Sequence, residues 1–249
     1  MPASPKIRLD KLILERRLAP DINEATALVM AGKVLVPNER RSPTPGMQVR
    51  SDIEISVVPD KRFVSRGGEK LARAFEMFDV HASGLTCLDV GASTGGFTDC
   101  LLQLGARKVY AVDTGRGQLH QKLFSDERVV SMERTNLVDG NGLPEQVDLV
   151  VADVSFTSLE SVLPTAIDQL KAGGQVVVLL KPQFEAKKME VPRGGVITDP
   201  LIHATVIGRF VKWAGESKIR VRNLTNSGIL GDKGNREFLL HLEPQSPPS

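Results

Sequence analysis

Four ionisable residues of this chain stand where they could share proton-transfer chemistry: Lys70, Asp153, Lys181 and Glu237. Asp153 ends the apolar run 147–153, Lys181 ends 175–181, and Glu237 begins 237–242. Lys70 opens an expected helix after Arg66-Gly67-Gly68-Glu69. Ligands of a doubly wound sheet sit outside the carboxyl ends of its parallel strands. Asp153 and Lys181 would end two such strands. An antiparallel last strand would begin at the same edge and bring Glu237. A helix running against the first strand would start there and bring Lys70. Two lysines and two acids in one partly dry cleft can tune a lysine for general-base work. The plain alternative is a pair of salt bridges at the domain rim.

The elements that would hold these residues follow from periodicity. Apolar positions 7, 9, 12, 13 and 14 fit a short helix over 7–18. Asp21 is a plausible N-cap for a helix over 24–31, with Gly32 as its stop. Residues 34–36 and 53–58 read as short strands, with a turn-rich stretch between them. A basic connector, 59–68, leads to a helix over 69–78. From residue 86 the pattern alternates: strands at 86–90, 108–113, 129–133, 147–153, 175–181, 220–225 and 237–242, with helices at 97–104, 117–123, 158–170 and 200–215. Such alternation predicts an α/β, doubly wound, mostly parallel sheet of seven strands. The last strand follows a helix-free loop and is expected to run antiparallel. The domains expected are 1–59, a linker over 60–68, and 69–249.

Leu88-Asp89-Val90-Gly91-Ala92-Ser93-Thr94-Gly95-Gly96-Phe97 lies between the first strand and its helix. Glycines there allow close backbone approach to a ligand, and a helix N-terminus favours negative charge. The spacing is not the G-x-G-x-x-G of dinucleotide folds. Asp113, ending the next strand, can bond two ribose hydroxyls. Asp89, Gly91, Ser93, Gly95, Gly96, Phe97 and Asp113 together resemble the S-adenosylmethionine site of class I (Rossmann-like) methyltransferases. Asn136 falls where such folds contact the adenine, and Asp153 would border the same site. A glycine turn that only packs a helix on its strand is the alternative.

The methyl acceptor is narrowed by what is missing. Asp153-Val154-Ser155-Phe156 lacks the prolines associated with methylation of exocyclic amines. Cys87 and Cys100, inside a strand and a helix, are badly placed for attack on a pyrimidine carbon. A ribose 2′-hydroxyl needs a base, and the lysines offer one. Lys70, Asp153, Lys181 and Glu237 resemble the K-D-K-E tetrad of FtsJ-like ribose 2′-O-methyltransferases. Residues 66–71, 89–97, Leu180-Lys181-Pro182-Gln183-Phe184-Glu185 and Gly194-Gly195-Val196 together resemble the TlyA family, over nearly the whole chain. That resemblance implies a small α+β S4-like RNA-binding domain ahead of the methyltransferase domain, S-adenosylmethionine as cofactor, and cytidine ribose in ribosomal RNA as substrate. It implies Lys181 as base, Asp153 and Glu237 as its tuning partners, and Lys70 as a positioning group. Some family members carry a haemolysin label, which nothing in this sequence explains.

Arg8-Leu9-Asp10-Lys11-Leu12 and Ala31-Gly32-Lys33-Val34-Leu35-Val36 look like S4-domain signatures. Arg8, Lys11, Arg16, Arg17, Lys33, Arg40, Arg41, Lys61, Arg62 and Arg66 are the candidate RNA contacts, serving affinity through phosphates rather than base readout. Asp21-Ile22 stands where the family usually has Ser-Arg, shifting the expected footprint toward the first helix and the connector. The net charge of +2 over 249 residues restricts any basic surface to a local patch. Two cysteines in apolar surroundings suit a reducing cytoplasm better than a disulfide scaffold. No signal peptide is evident, and no apolar run approaches the roughly 18–20 residues that span a bilayer. The expected partners are ribosomal RNA or ribosomal subunits, with no membrane and no metal; a monomer is assumed. A non-catalytic RNA-binding or ribosome-assembly factor on the same fold is one competing reading; a membrane-active haemolysin is the other, disfavoured by the lack of an apolar span.

Overall fold

The structure, a computed structural model, describes residues 4–37, 39, 41–58, 62–140 and 142–245. Arg40 and Lys61 of the candidate RNA contacts lie outside the described residues. The chain forms two compact units, Met1–Lys61 and Arg62–Ser249.

In the first unit β1 (Lys6–Arg8) leads directly into α1 (Leu9–Glu15), and α2 spans Ile22–Met30. β2 (Val34–Leu35), β3 (Gln48–Arg50) and β4 (Ser56–Val57) complete it. β1 pairs antiparallel with β3, and β2 with β4. The helix expected over 7–18 is shorter, because Ile7 is drawn into an extended ladder opposite Val49. At its other end Arg17 adopts a left-handed φ of 57°. Strand β3 was not expected, and the strand expected over 53–58 pairs only at Ser56–Val57. Asp21 caps α2 by accepting from the Glu24 amide at 2.9 Å. Leu9, Leu12, Ile13, Ala25, Val29, Val34, Val49 and Ile55 form the core.

The second unit opens with α3 (Arg66–Met77) and continues through β5 (Thr86–Val90), α4 (Gly96–Gln103), β6 (Lys108–Asp113), α5 (Gln121–Phe124) and β7 (Val129–Glu133). It then runs through β8 (Val147–Ala152), α6 (Leu159–Ile167), β9 (Leu170–Leu180), α7 (Pro182–Glu185), α8 (Pro200–Glu216), β10 (Ile219–Asn226) and β11 (Phe238–Pro244). The strand order is β10-β11-β9-β8-β5-β6-β7. β11 runs antiparallel to both β9 and β10, between them, while the β9-β8-β5-β6-β7 pairings are parallel. Helices cover both faces, so the central strands read as unbroken apolar runs. Leu88, Val150, Val178 and Leu240 face α6 and α8. Their neighbours Cys87, Val151, Val177 and Leu239 face α3 and α4.

One boundary bears on chemistry. Helix α3 starts at Arg66, capped by Ser65, so Gly67 and Gly68 are helical rather than part of a connector, and Lys70 sits in the second turn. Residues 62–64 already belong to this unit. The Val64 amide donates to Asp99 Oδ2 at 2.9 Å, and Gln103 donates to the Arg62 carbonyl at 2.9 Å. The glycines exist for close packing. A Cβ on Gly68 would lie 2.3 Å from Cγ of buried Phe63, and one on Gly96 would lie 2.1 Å from Ser65 Oγ and 2.9 Å from the Gly68 nitrogen. Overpacking a filled core costs about 1–3 kcal/mol. Gly68→Ala is therefore expected to lower the unfolding free energy by that amount, seen as a lower denaturant midpoint, despite alanine's better helix propensity. An unchanged or raised midpoint would show that Phe63 yields freely.

Candidate active site

Two adjoining cavities open at the carboxyl edge of the sheet. The larger, about 630 Å³, is lined by Gly91, Ser93, Asp113, Asn136, Asp153 and Ser155 among others. Gly91 has a φ of +81°, and a Cβ there would sit 2.8 Å from the Asp153 carbonyl oxygen. Only a glycine lets the β5 turn pass this close to the end of β8. The Asp113 carboxylate accepts from the Ser93 amide at 2.8 Å and the Gly115 amide at 2.6 Å, which fixes both turns around the cavity. An ionised carboxylate has about four acceptor sites, so capacity for ligand hydroxyls remains. Asn136 caps the short 3₁₀ turn Leu137–Asp139 and lines the same cavity. This glycine cradle, with an acid at its rim, fits a nucleoside-bearing cofactor.

The smaller cavity, about 360 Å³, shares Gly91, Ser93, Asp153 and Ser155 with the first and brings in Lys70, Lys181 and Glu237. All four expected polar residues thus face one space. They form two unlike pairs. Lys70 Nζ donates to Glu237 Oε2 at 2.6 Å, with side chains 8% and 3% exposed. Lys181 Nζ lies 2.6 Å from Asp153 Oδ1, but at angles outside hydrogen bonding. Its aligned hydrogen bond goes to Ser155 Oγ at 2.8 Å. Asp153, Lys181 and Glu237, expected as the terminal residues of their strands, each stand one residue beyond the observed ends of β8, β9 and β11.

Other expected residues take supporting places. Gly96 and Phe97 line the smaller cavity only, and Asp89 and Gly95 line neither. Gly95, with a φ of +94°, packs against Leu119 and Leu123. Asp89 is wholly buried beneath the glycine turn, where it accepts from Thr98 Oγ1 at 2.6 Å. Burial pushes its carboxyl up to about 7, with the charge of Asp153 adding to the effect and Thr98 opposing it. Both thiols are buried, which pushes Cys87 and Cys100 up to about 12, so neither offers a thiolate nucleophile. Sequence reasoning missed Ser155, Gln118 and Thr135 as cavity residues; the small hydroxyl two places after a strand-end aspartate was the available signal for Ser155.

The candidate RNA contacts divide. Lys11, Arg17, Arg41 and Arg62 are exposed. Arg8 is held by Asp10, with its shortest contact 2.6 Å, and Arg16 donates to the Ser51 carbonyl at 2.9 Å. Lys33 is half-buried. Arg66, at the rim of the smaller cavity, pairs with Asp232 and reaches the Leu230 carbonyl at 3.3 Å.

A doubly wound sheet with its last strand inserted antiparallel, a glycine turn over the first strand and an acid ending the second defines a class I methyltransferase. The chain belongs to the FtsJ-like methyltransferase family, whose model matches residues 63–243. It is 43% identical over 246 residues to a Bacillus subtilis protein provisionally designated rRNA methyltransferase YqxC, covering 96% of this chain and 86% of that one. It is 39% identical over 245 residues to the 16S/23S rRNA (cytidine-2′-O)-methyltransferase TlyA of Mycobacterium tuberculosis, covering 97% and 91%. A solved structure of a Streptococcus thermophilus protein, provisionally designated a haemolysin, superposes with a TM-score of 0.72 at 40% identity, covering 99% of this chain and 91% of that one. Among the described residues no helix is long and apolar enough to cross a membrane, and no cluster of three or more metal-ligating side chains occurs.

Two outcomes follow from the site's electrostatics. Removing one partner of a buried ion pair costs about 3–5 kcal/mol, because the other charge is left uncompensated. Glu237→Ala is expected to destabilise by that amount in chemical denaturation, and Lys70→Met with Glu237→Leu to recover most of it. If Glu237→Ala alone cost under about 1 kcal/mol, Lys70 would not be desolvated as described. Asp89 holds its proton to about pH 7 when folded, against about 3.9 unfolded. Between those values the folded state binds more protons, so this group's contribution to stability falls as pH rises. Asp89→Asn removes that dependence. Its Tm relative to wild type should climb between pH 4.5 and pH 7.5; a constant offset would mean Asp89 is ionised throughout.

Proposed function

We propose that the protein transfers a methyl group from S-adenosylmethionine to a ribose 2′-hydroxyl, of cytidine, in ribosomal RNA. The observation that carries this reading is the meeting of Lys70, Asp153, Lys181 and Glu237 in a cavity that shares a wall with the glycine-lined one. Asp113, Asn136, Gly91 and Ser93 would hold the cofactor, which when bound supplies an electrophilic methyl group. The chain's own task is the proton. A ribose hydroxyl is a poor nucleophile until its proton leaves, and Lys181 Nζ takes that proton as general base. Asp153, beside it, compensates the ammonium that results. Glu237 and Lys70 are tied to each other more completely, which suits a brace and a contact to the incoming ribose better than a base.

The first unit is proposed as the S4-like RNA-binding domain, with Lys11, Arg17 and Arg41 as exposed phosphate contacts; within the second unit, Arg62 and Arg66 are proposed as further phosphate contacts, Arg66 at the rim of the smaller cavity. Asp21 caps α2, which gives a local reason for the acid at that position. The cytidine and ribosomal RNA specificity rests on the TlyA relative, at 39% identity over 97% of the chain. Such a substrate fits a cytoplasmic protein.

The test separates binding from chemistry. Lys181→Ala should lower methyl transfer to ribosomal RNA at least about 10²-fold, the scale of a lost general base, while calorimetry shows S-adenosylmethionine binding within about twofold of wild type. Asp113→Ala should weaken cofactor binding at least about tenfold. Near-wild-type methylation by Lys181→Ala would remove it as the base. A wild-type protein that binds RNA but not S-adenosylmethionine would be an assembly factor instead.

A further inference from the structure

The turn that carries Lys181 is fastened to the loop after β8 at several points. Lys181 itself is the N-cap residue of α7. At the far end of that four-residue helix, Glu185 accepts from Ser158 Oγ at 2.6 Å and from the Leu159 amide at 2.7 Å. Between them the rings of Phe184 and Phe156 meet with centroids 5.1 Å apart. Phe156 is 91% exposed and held at a φ of +63°, which a non-glycine residue adopts only where its surroundings insist. The segment 153–158 is therefore clamped against 181–185, and Ser155 sits inside the clamp.

Ser155 stands out within it. It accepts the aligned hydrogen bond from Lys181 Nζ at 2.8 Å, whereas the close approach of Asp153 Oδ1 is not aligned. It also lines both cavities. A lysine side chain has four rotatable bonds, and nothing about Asp153 alone fixes which way its amine faces. We propose that Ser155 is a positioning residue that orients the Lys181 amine, and this rests on Lys181 being the base of the proposed methyl transfer. The neutral amine has two N–H bonds and one lone pair. With one N–H given to Ser155 Oγ, the other N–H and the lone pair are confined to the remaining tetrahedral directions, which leaves the lone pair able to face a hydroxyl proton in the cavity that Lys181 lines. In the transfer the hydroxyl O–H bond breaks and its proton joins that lone pair to give an ammonium; the oxygen's freed electron pair would bond the methyl group of a bound S-adenosylmethionine, whose sulfur would leave as a neutral thioether, and Ser155 keeps its own proton.

The experiment compares Ser155→Ala with Ser155→Thr, which restores a hydroxyl acceptor, alongside wild type and Lys181→Ala. For Ser155→Ala, kcat for RNA methylation should fall at least about tenfold, since small misplacements of a catalytic group cost on that scale or more. KM for RNA, the cofactor Kd and Tm should stay close to wild type, and Ser155→Thr should recover most of kcat. Wild-type kcat in Ser155→Ala overturns the assignment. Equal losses in both variants, tracking Tm, would make Ser155 a packing residue only. Absence of methylation by wild type would remove the functional reading itself, whereas activity lost in Lys181→Ala but intact in Ser155→Ala sinks only the Ser155 assignment. A turnover-free measurement covers the first case. Acetic anhydride labelling of Lys181, read by peptide mass spectrometry, should be several-fold faster in Ser155→Ala than in wild type, with Lys171 unchanged as reference; equal rates overturn the contact.

Discussion

The ion pair between Lys70 and Glu237 joins the second turn of α3 to the start of β11, and much of the second unit is arranged so that it can form. Glu237 reaches the carboxyl edge only because β11 enters the sheet antiparallel, between β9 and β10. Lys70 reaches it only because the start of α3 lies close against α4, an approach that leaves no room for a side chain at Gly96, while Gly68 makes room for Phe63. On the other side of the carboxylate, a Cβ at Gly231 would come within 2.3 Å of Glu237 Oε1. Two charges that give up water need each other closely, because neither has solvent to fall back on. The glycines are thus the steric condition of an electrostatic contact.

The second pair is looser by design of its surroundings. Lys181 and Asp153 remain 11% and 21% exposed at the side chain, and their closest contact is not a hydrogen bond. One pair is closed and braces helix to strand. The other faces the space between two cavities and keeps bonding capacity in reserve. That difference in completeness, rather than any difference in residue type, is why the base is assigned to Lys181 and not to Lys70.

Much of the second unit was legible in the chain. Strands buried on both faces announce themselves as short apolar runs, so 86–90 and 108–113 coincide with β5 and β6, and 129–133 coincides with β7 although that edge strand is only partly buried. The glycine turn and Asp113 were visible because a cradle needs those residue types at those places. Other features were not legible. Arg66-Gly67-Gly68 reads as connector because glycine has poor helix propensity, yet packing against Phe63 and α4 holds it in a helix. In the first unit, β1 and β3 pair over three residues each, too few for alternation to show. Asp89 and Gly95 belong to the same motif as Gly91 but face the core, a distinction that the motif's spacing does not carry.

The sequence by itself determined the period of the strands and helices, the residue types at their ends, and the family likeness those ends express. It did so because burial of apolar side chains acts on every residue locally and leaves its period in the chain. Which lysine meets which acid was decided only by tertiary structure. So was the part of Ser155, whose hydroxyl says nothing until the turn after β9 lies against the loop after β8. Hydrogen bonds and ion pairs are set by distances of an ångström or less, and those distances exist only once the strands have taken their order in the sheet.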